Sequence, residues 1–102
     1  MTASLADLQI SVASQQYVRV PISEASGADP TGDAVYMAFP DAGATPTDFF
    51  TGSWVTIGGI YYARCLVGPG SNVLPVGFYD VYVRVSDSPE HPVLFSGTLE
   101  VF

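Results

Sequence analysis

From Gly77 to Val85 apolar and polar positions alternate without a break. Tyr79, Val81, Val83 and Val85 fall on one side, and Phe78, Asp80, Tyr82 and Arg84 on the other. Successive side chains of a strand point to opposite faces, so this pattern predicts a strand with one apolar face on a core. Its other face is not simply polar. It mixes one carboxylate and one guanidinium with two aromatic rings. The same alternation recurs along the chain. Leu8, Ile10 and Val12 predict a short first strand, and Val18, Val20 and Ile22 a second, with Tyr17, Arg19 and Pro21 outward. Pro21 cannot donate to a ladder, which favours an edge strand or a kink where the chain changes sheets. Asp33 to Phe39 places Val35, Met37 and Phe39 on one face. Trp54 to Ile57 and Ile60 to Val67 follow as strands. The last strand is expected to turn Val93, Phe95, Leu99 and Val101 inward, with Gly97 marking a bulge or a close backbone approach.

The segments between these patterns read as turns. Ser26 to Gly32 and Asp87 to Pro92 are dense in Gly, Pro, Asp and Ser, and Gly68 to Asn72 is similar. Gly58-Gly59 is a hairpin signal of the kind that needs positive φ. Pro40 to Ser53 is a long connection whose Phe49 and Phe50 either start the next strand or cap one end of the core. Regular strand spacing with no helical period predicts an all-β antiparallel sandwich or small barrel. At 102 residues it is expected to be one domain, residues 1–102, with residues 1–8 as a candidate N-terminal arm.

Composition supports a packed domain: 48% of residues are hydrophobic, too many for a disordered chain of this size. Charge is sparse and one-sided, with ten acidic residues, three arginines, no lysine and a net charge of −7. Nucleic acid and anionic membranes both call for a basic patch, so neither is an expected partner. Met1 to Asp7 has no basic segment and no long apolar run, which predicts no secretion signal. No stretch approaches the ~20 apolar residues that span a bilayer as a helix. Cys65 is the single cysteine, so no intrachain disulfide forms, as expected of a chain that folds in a reducing cytoplasm.

Candidate chemistry is thin. His91, the single histidine, sits between Glu90 and Pro92 and reads as a solvated turn residue. No G-x-S-x-G elbow is present, and one Cys with one His excludes a zinc site of the usual kind. Cys65 falls on an inward strand face and reads as a small core residue. Asp29, Asp33, Asp41 and Asp48 lie in or beside loops, where calcium would find oxygen ligands, yet they follow no EF-hand spacing and suit ordinary turns. No enzyme activity and no cofactor are expected. Trp54 reads as a core ring between sheets, with an exposed sugar-stacking platform as the alternative. Outward aromatics beside arginine suit a protein interface instead. Tyr36, Tyr62, Phe78, Tyr82 and Arg84 are the expected interface residues, and a one-residue slip in any strand would exchange its faces.

Leu74 to Val81 resembles the G-x-Y stretch that opens the sixth strand of immunoglobulin-like sandwiches, with Trp54 upstream where such folds place their central tryptophan. That resemblance implies an immunoglobulin-like sandwich of about seven strands. It also implies a corner in which Tyr79 bonds back to the preceding backbone. Val81 stands where antibody domains have their second cysteine, so this is a disulfide-free version. The wider layout runs from Asp29 to Phe39, through Trp54, to Gly77–Val85 and a terminal strand. It is similar to small immunoglobulin-like virion proteins of tailed bacteriophages, such as those of actinobacterial phages and the N-terminal sandwich of baseplate upper proteins. The resemblance implies a non-enzymatic virion component, at the head–tail connector, neck, tail or as decoration. Such a component folds in the host cytoplasm and contacts other virion proteins, copies of itself included. A carbohydrate- or cell-surface-binding sandwich module is the alternative.

Overall fold

The computed structural model describes residues 2–3, 8–23, 29–86 and 91–102. Among these residues nine strands form two sheets: β1 (Thr2–Ala3), β2 (Leu8–Ile10), β3 (Gln16–Ser23), β4 (Ala34–Ala38), β5 (Phe49–Thr51), β6 (Ser53–Ile57), β7 (Ile60–Val67), β8 (Gly77–Ser86) and β9 (Val93–Val101). One sheet has four strands in the order β1-β3-β7-β6, and the other has five in the order β2-β9-β8-β4-β5. The architecture is an all-β sandwich. Leaving out β1, β2 and β5, β7 lies between β3 and β6 in one sheet, and β8 lies between β4 and β9 in the other. Every ladder is antiparallel except β2 with β9, which run parallel.

The core lies where the apolar sides of the two sheets meet. Val18, Val20 and Ile22 of β3 and Ala63, Cys65 and Val67 of β7 face Val35 and Met37 of β4, Val81, Val83 and Val85 of β8, and Leu99 and Val101 of β9. β-branched residues dominate because their stiff side chains suit a pleated surface. Tyr79 closes one end. Its hydroxyl donates to the Pro75 carbonyl at 2.5 Å, four residues upstream. Burial pushes its phenol pKa above the ordinary value, and the charge of Asp41 adds to the effect.

Several elements differ from the sequence reading, each for a local reason. Phe49–Thr51 is a strand of its own at the edge of the five-stranded sheet, not part of a connection. Gly52 then carries the chain across to the other sheet. Its N–H donates to the Val35 carbonyl at 2.9 Å, and a Cβ there would sit 3.0 Å from the Arg64 carbonyl, so the crossing depends on a missing side chain. The Gly58-Gly59 turn of the β6–β7 hairpin has φ of +59° and +79°, as the sequence signal requires. Val12 is exposed, because β2 ends at Ile10 and the chain turns there.

The last strand carries the largest correction. Val81 pairs with Gly97 and Tyr82 with Phe95, so Ser96 is an extra residue that shifts the phase of β9 by one. Leu99 and Val101 face inward as expected, but Val93 and Phe95 face outward, Phe95 with 55% of its surface exposed. β3 is not an edge strand, since it lies between β1 and β7, but at Pro21 only β7 pairs with it, through Tyr62, because the described part of β1 reaches only Ile22 and Ser23. In the candidate arm, Thr2 and Ala3 pair with β3 and Leu8 pairs with Leu99, and residues 4–7 lie outside the described residues. The Ser26–Gly32 and Asp87–Pro92 turns lie partly outside them too; within the first, Pro30–Gly32 form a 3₁₀ turn.

Candidate protein-binding faces of the two sheets

Because β8 alternates, its outward side sets the main face. Phe78, Asp80, Tyr82 and Arg84 point away from the core, and the register fixes their neighbours. Arg84 lies opposite Tyr36 of β4 and Val93 of β9, and Tyr82 opposite Ala38 and Phe95. Phe49 of β5 lies opposite Ala38 on the far side. The result is a band of four rings around one guanidinium. The Arg84 guanidinium carbon is 4.6 Å from the Tyr36 ring centre and 4.4 Å from that of Phe49. Tyr82 and Phe95 meet edge to face at 5.5 Å. Ala38, in register between Tyr82 and Phe49, has no exposed surface although it lies on the outer side. This face therefore has a small apolar layer of its own.

The band opens toward His91. Tyr36, Arg84, Ser86 and exposed His91 line a depression of about 310 Å³. Further along the same face Asp80 accepts the Gly43 N–H at 2.9 Å, and Glu100 accepts from the Gln9 amide at 2.9 Å. Phe78, opposite Glu100 and two residues before Asp80, has 68% of its surface exposed.

The outer face of the four-stranded sheet is built differently. Tyr17, Arg19 and Pro21 of β3 lie opposite Leu66, Arg64 and Tyr62 of β7. Arg64 sits 4.2 Å from the centre of the Tyr17 ring and donates through Nε to the Ser53 hydroxyl at 3.1 Å. Arg19 is exposed and points outward beside it.

Of the five expected interface residues, the fold brings Tyr36, Tyr82 and Arg84 together. Phe78 shares their face but lies beyond Asp80, and Tyr62 is on the other sheet. The sequence reading missed Phe49 and Phe95. The double aromatic at positions 49–50 was a usable signal, since one ring of such a pair must face out. Phe50 is the inward one and stacks on Phe39 at 6.2 Å. Gly97 was the signal for Phe95, because a bulge there reverses every residue before it.

The reactive groups are held quietly. Cys65 is buried, and burial raises its thiol pKa, opposed by the Asn72 amide that donates to its sulfur at 3.4 Å. Such a thiol is a poor nucleophile at neutral pH. Trp54 is half-buried against the core and its indole N–H donates to the Asp33 carbonyl at 2.8 Å. Asp29 caps the 3₁₀ turn: the Thr31 hydroxyl and N–H both donate to it and hold its carboxyl below the usual range. Asp29 and Asp33 lie before β4, and Asp41 and Asp48 after it. Among the described residues no three His, Cys, Asp or Glu side chains gather as a metal site. The chain matches no protein-family model and no curated protein sequence, so these faces are read from their own geometry.

Proposed function

We propose that this chain is a non-enzymatic, immunoglobulin-like structural module that works through protein–protein contacts on the outer face of its five-stranded sheet. The observation that carries the reading is the Arg84 band. A guanidinium laid over Tyr36 and Phe49, beside the Tyr82–Phe95 pair, is a preorganised cluster of the residue types that dominate binding hot spots. Its ring contacts hold the arginine in place before any partner arrives, which lowers the ordering cost of binding. The strand order and the bond from Tyr79 to Pro75 support the immunoglobulin-like assignment.

Placement on a tailed-phage particle, at the connector, neck, tail or as decoration, rests on the sequence resemblance. A lone buried thiol suits folding in a host cytoplasm, and copies of the chain are the first expected partner. The test is Tyr82→Ala, with mass measured by size-exclusion chromatography and light scattering, alone and with the other particle proteins. The variant should keep the wild-type circular dichroism spectrum and lose assembly. A variant that unfolds would make Tyr82 a support of the fold instead. A folded variant that assembles normally would remove this face as the interface.

A further inference from the structure

The four-stranded sheet holds an arrangement that its own fold does not account for. Its ladder sets Arg19 directly opposite Arg64, two of the three cations in a chain of net charge −7. Like charges directly opposed across a ladder disfavour the sheet. Ten acidic residues were there to neutralise them, yet among the described residues no strand position on this outer face carries a carboxylate. Arg64 is held by a ring and a hydroxyl instead, and among the described residues Arg19 pairs with no carboxylate. The opposite is true of the other sheet. Asp80 and Glu100 are the only carboxylates on the described strands, both lie on the outer face of the five-stranded sheet, and both flank exposed Phe78.

We propose that these two patches are the halves of one contact between copies. The Arg19–Arg64 face of one copy docks on the Phe78–Asp80–Glu100 end of the next. The proposal rests on the reading that the chain works by contact between proteins, and it names the partner and the mating surfaces. Each half supplies what the other lacks: guanidinium forks for carboxylates, and Tyr17 and Tyr62 as apolar cover for Phe78. The other described acids, Asp29, Asp33, Asp41 and Asp48, lie in the connections at the strand ends. In about 0.15 M salt their repulsion is screened beyond roughly 8 Å. Because the two patches differ, the contact is heterologous. It repeats from copy to copy and either closes as a ring or runs on as a stack.

The experiment is charge exchange read by light scattering over a range of concentrations at about 0.15 M salt. Wild-type mass should rise with concentration above the monomer value of 10.8 kDa. Arg19→Glu and Glu100→Arg should each weaken self-association by at least about tenfold. Their equimolar mixture should associate again, since each variant keeps the face that the other has lost. Arg19→Gln, which removes a charge without adding one, should fall between wild type and Arg19→Glu. A mixture that stays monomeric, or an Arg19→Glu chain that assembles like wild type, overturns the contact. Two outcomes separate it from the reading above. A wild-type monomer that captures another particle protein through Tyr82 overturns the self-contact and leaves the interface reading standing. Assembly that Tyr82→Ala abolishes and Arg19→Glu leaves unchanged does the same.

Discussion

The two outer faces of this sandwich use the same residue types and hold their arginines in different ways. On the five-stranded face Arg84 lies over two rings, Tyr36 and Phe49. On the four-stranded face Arg64 has one ring and a hydroxyl, and Arg19 has the like charge of Arg64 across the ladder. The cause is register. β4 and β5 bring aromatics to the neighbours of Arg84, whereas β3 and β7 bring one cation to the other. A guanidinium already satisfied by its own chain offers a rigid anchor. One set against a like charge gains most from a carboxylate supplied by something else. On the contacts proposed above, the first face is complete before binding and the second is completed by it.

The largest effect should come from what the two faces share. Met37 is fully buried on the inner side of β4, within the cluster that packs both sheets. Met37→Ala removes most of that side chain and leaves a cavity, at a cost of about 2–5 kcal/mol. Thermal unfolding should show a single transition at much lower temperature, with both faces lost together. Two separate transitions would mean that the sheets unfold independently and that the comparison concerns two units instead of one.

Next come the two ring-held arginines. A cation over a ring contributes about 0.5–1 kcal/mol at an exposed site and more where water is excluded. Arg84→Ala removes two such contacts and should cost about 1–2 kcal/mol in urea unfolding. Arg64→Ala removes one contact and one hydrogen bond and should cost about 1 kcal/mol. Equal losses, or a larger loss at Arg64, would show that ring contacts do not set the difference between the faces.

The sandwich itself was legible because its strands alternate cleanly. The inward sets of β3, β4, β7 and β8 all pack as the period-two pattern requires. What the pattern could not supply was phase after an irregularity. Ser96 adds one residue to β9, and every position before it changes face, which turned Phe95 from an expected core residue into a member of the outer band. Alternation gives the faces of a strand, but only pairing with a neighbour says where its phase restarts. Tyr36, Tyr82 and Arg84 could be assigned to outward faces from their own strands. That they share one patch, and that Tyr62 does not, depends on which strands are neighbours. Strand order is set by long-range packing, and no local spacing encodes it.

The smallest expected effect is the most informative about why the four-stranded face is as it is. Arg19 makes no described contact that its loss would break, and its neighbour across the ladder is Arg64. Replacing it by glutamate turns a repulsive cross-strand pair into an attractive one. Directly opposed pairs on a ladder contribute roughly 0.2–1 kcal/mol, and an exposed ion pair falls at the low end of that range. Arg19→Glu should therefore raise the stability of the isolated chain by a few tenths of a kcal/mol, visible as a small rise in the urea midpoint with an unchanged slope. The gain should shrink in 1 M salt, where exposed charges are screened. A substitution that strengthens the fold while breaking association is the mark of a residue retained for binding. A loss of stability would mean instead that Arg19 already has a stabilising partner within the chain, and that the opposition to Arg64 costs the fold nothing.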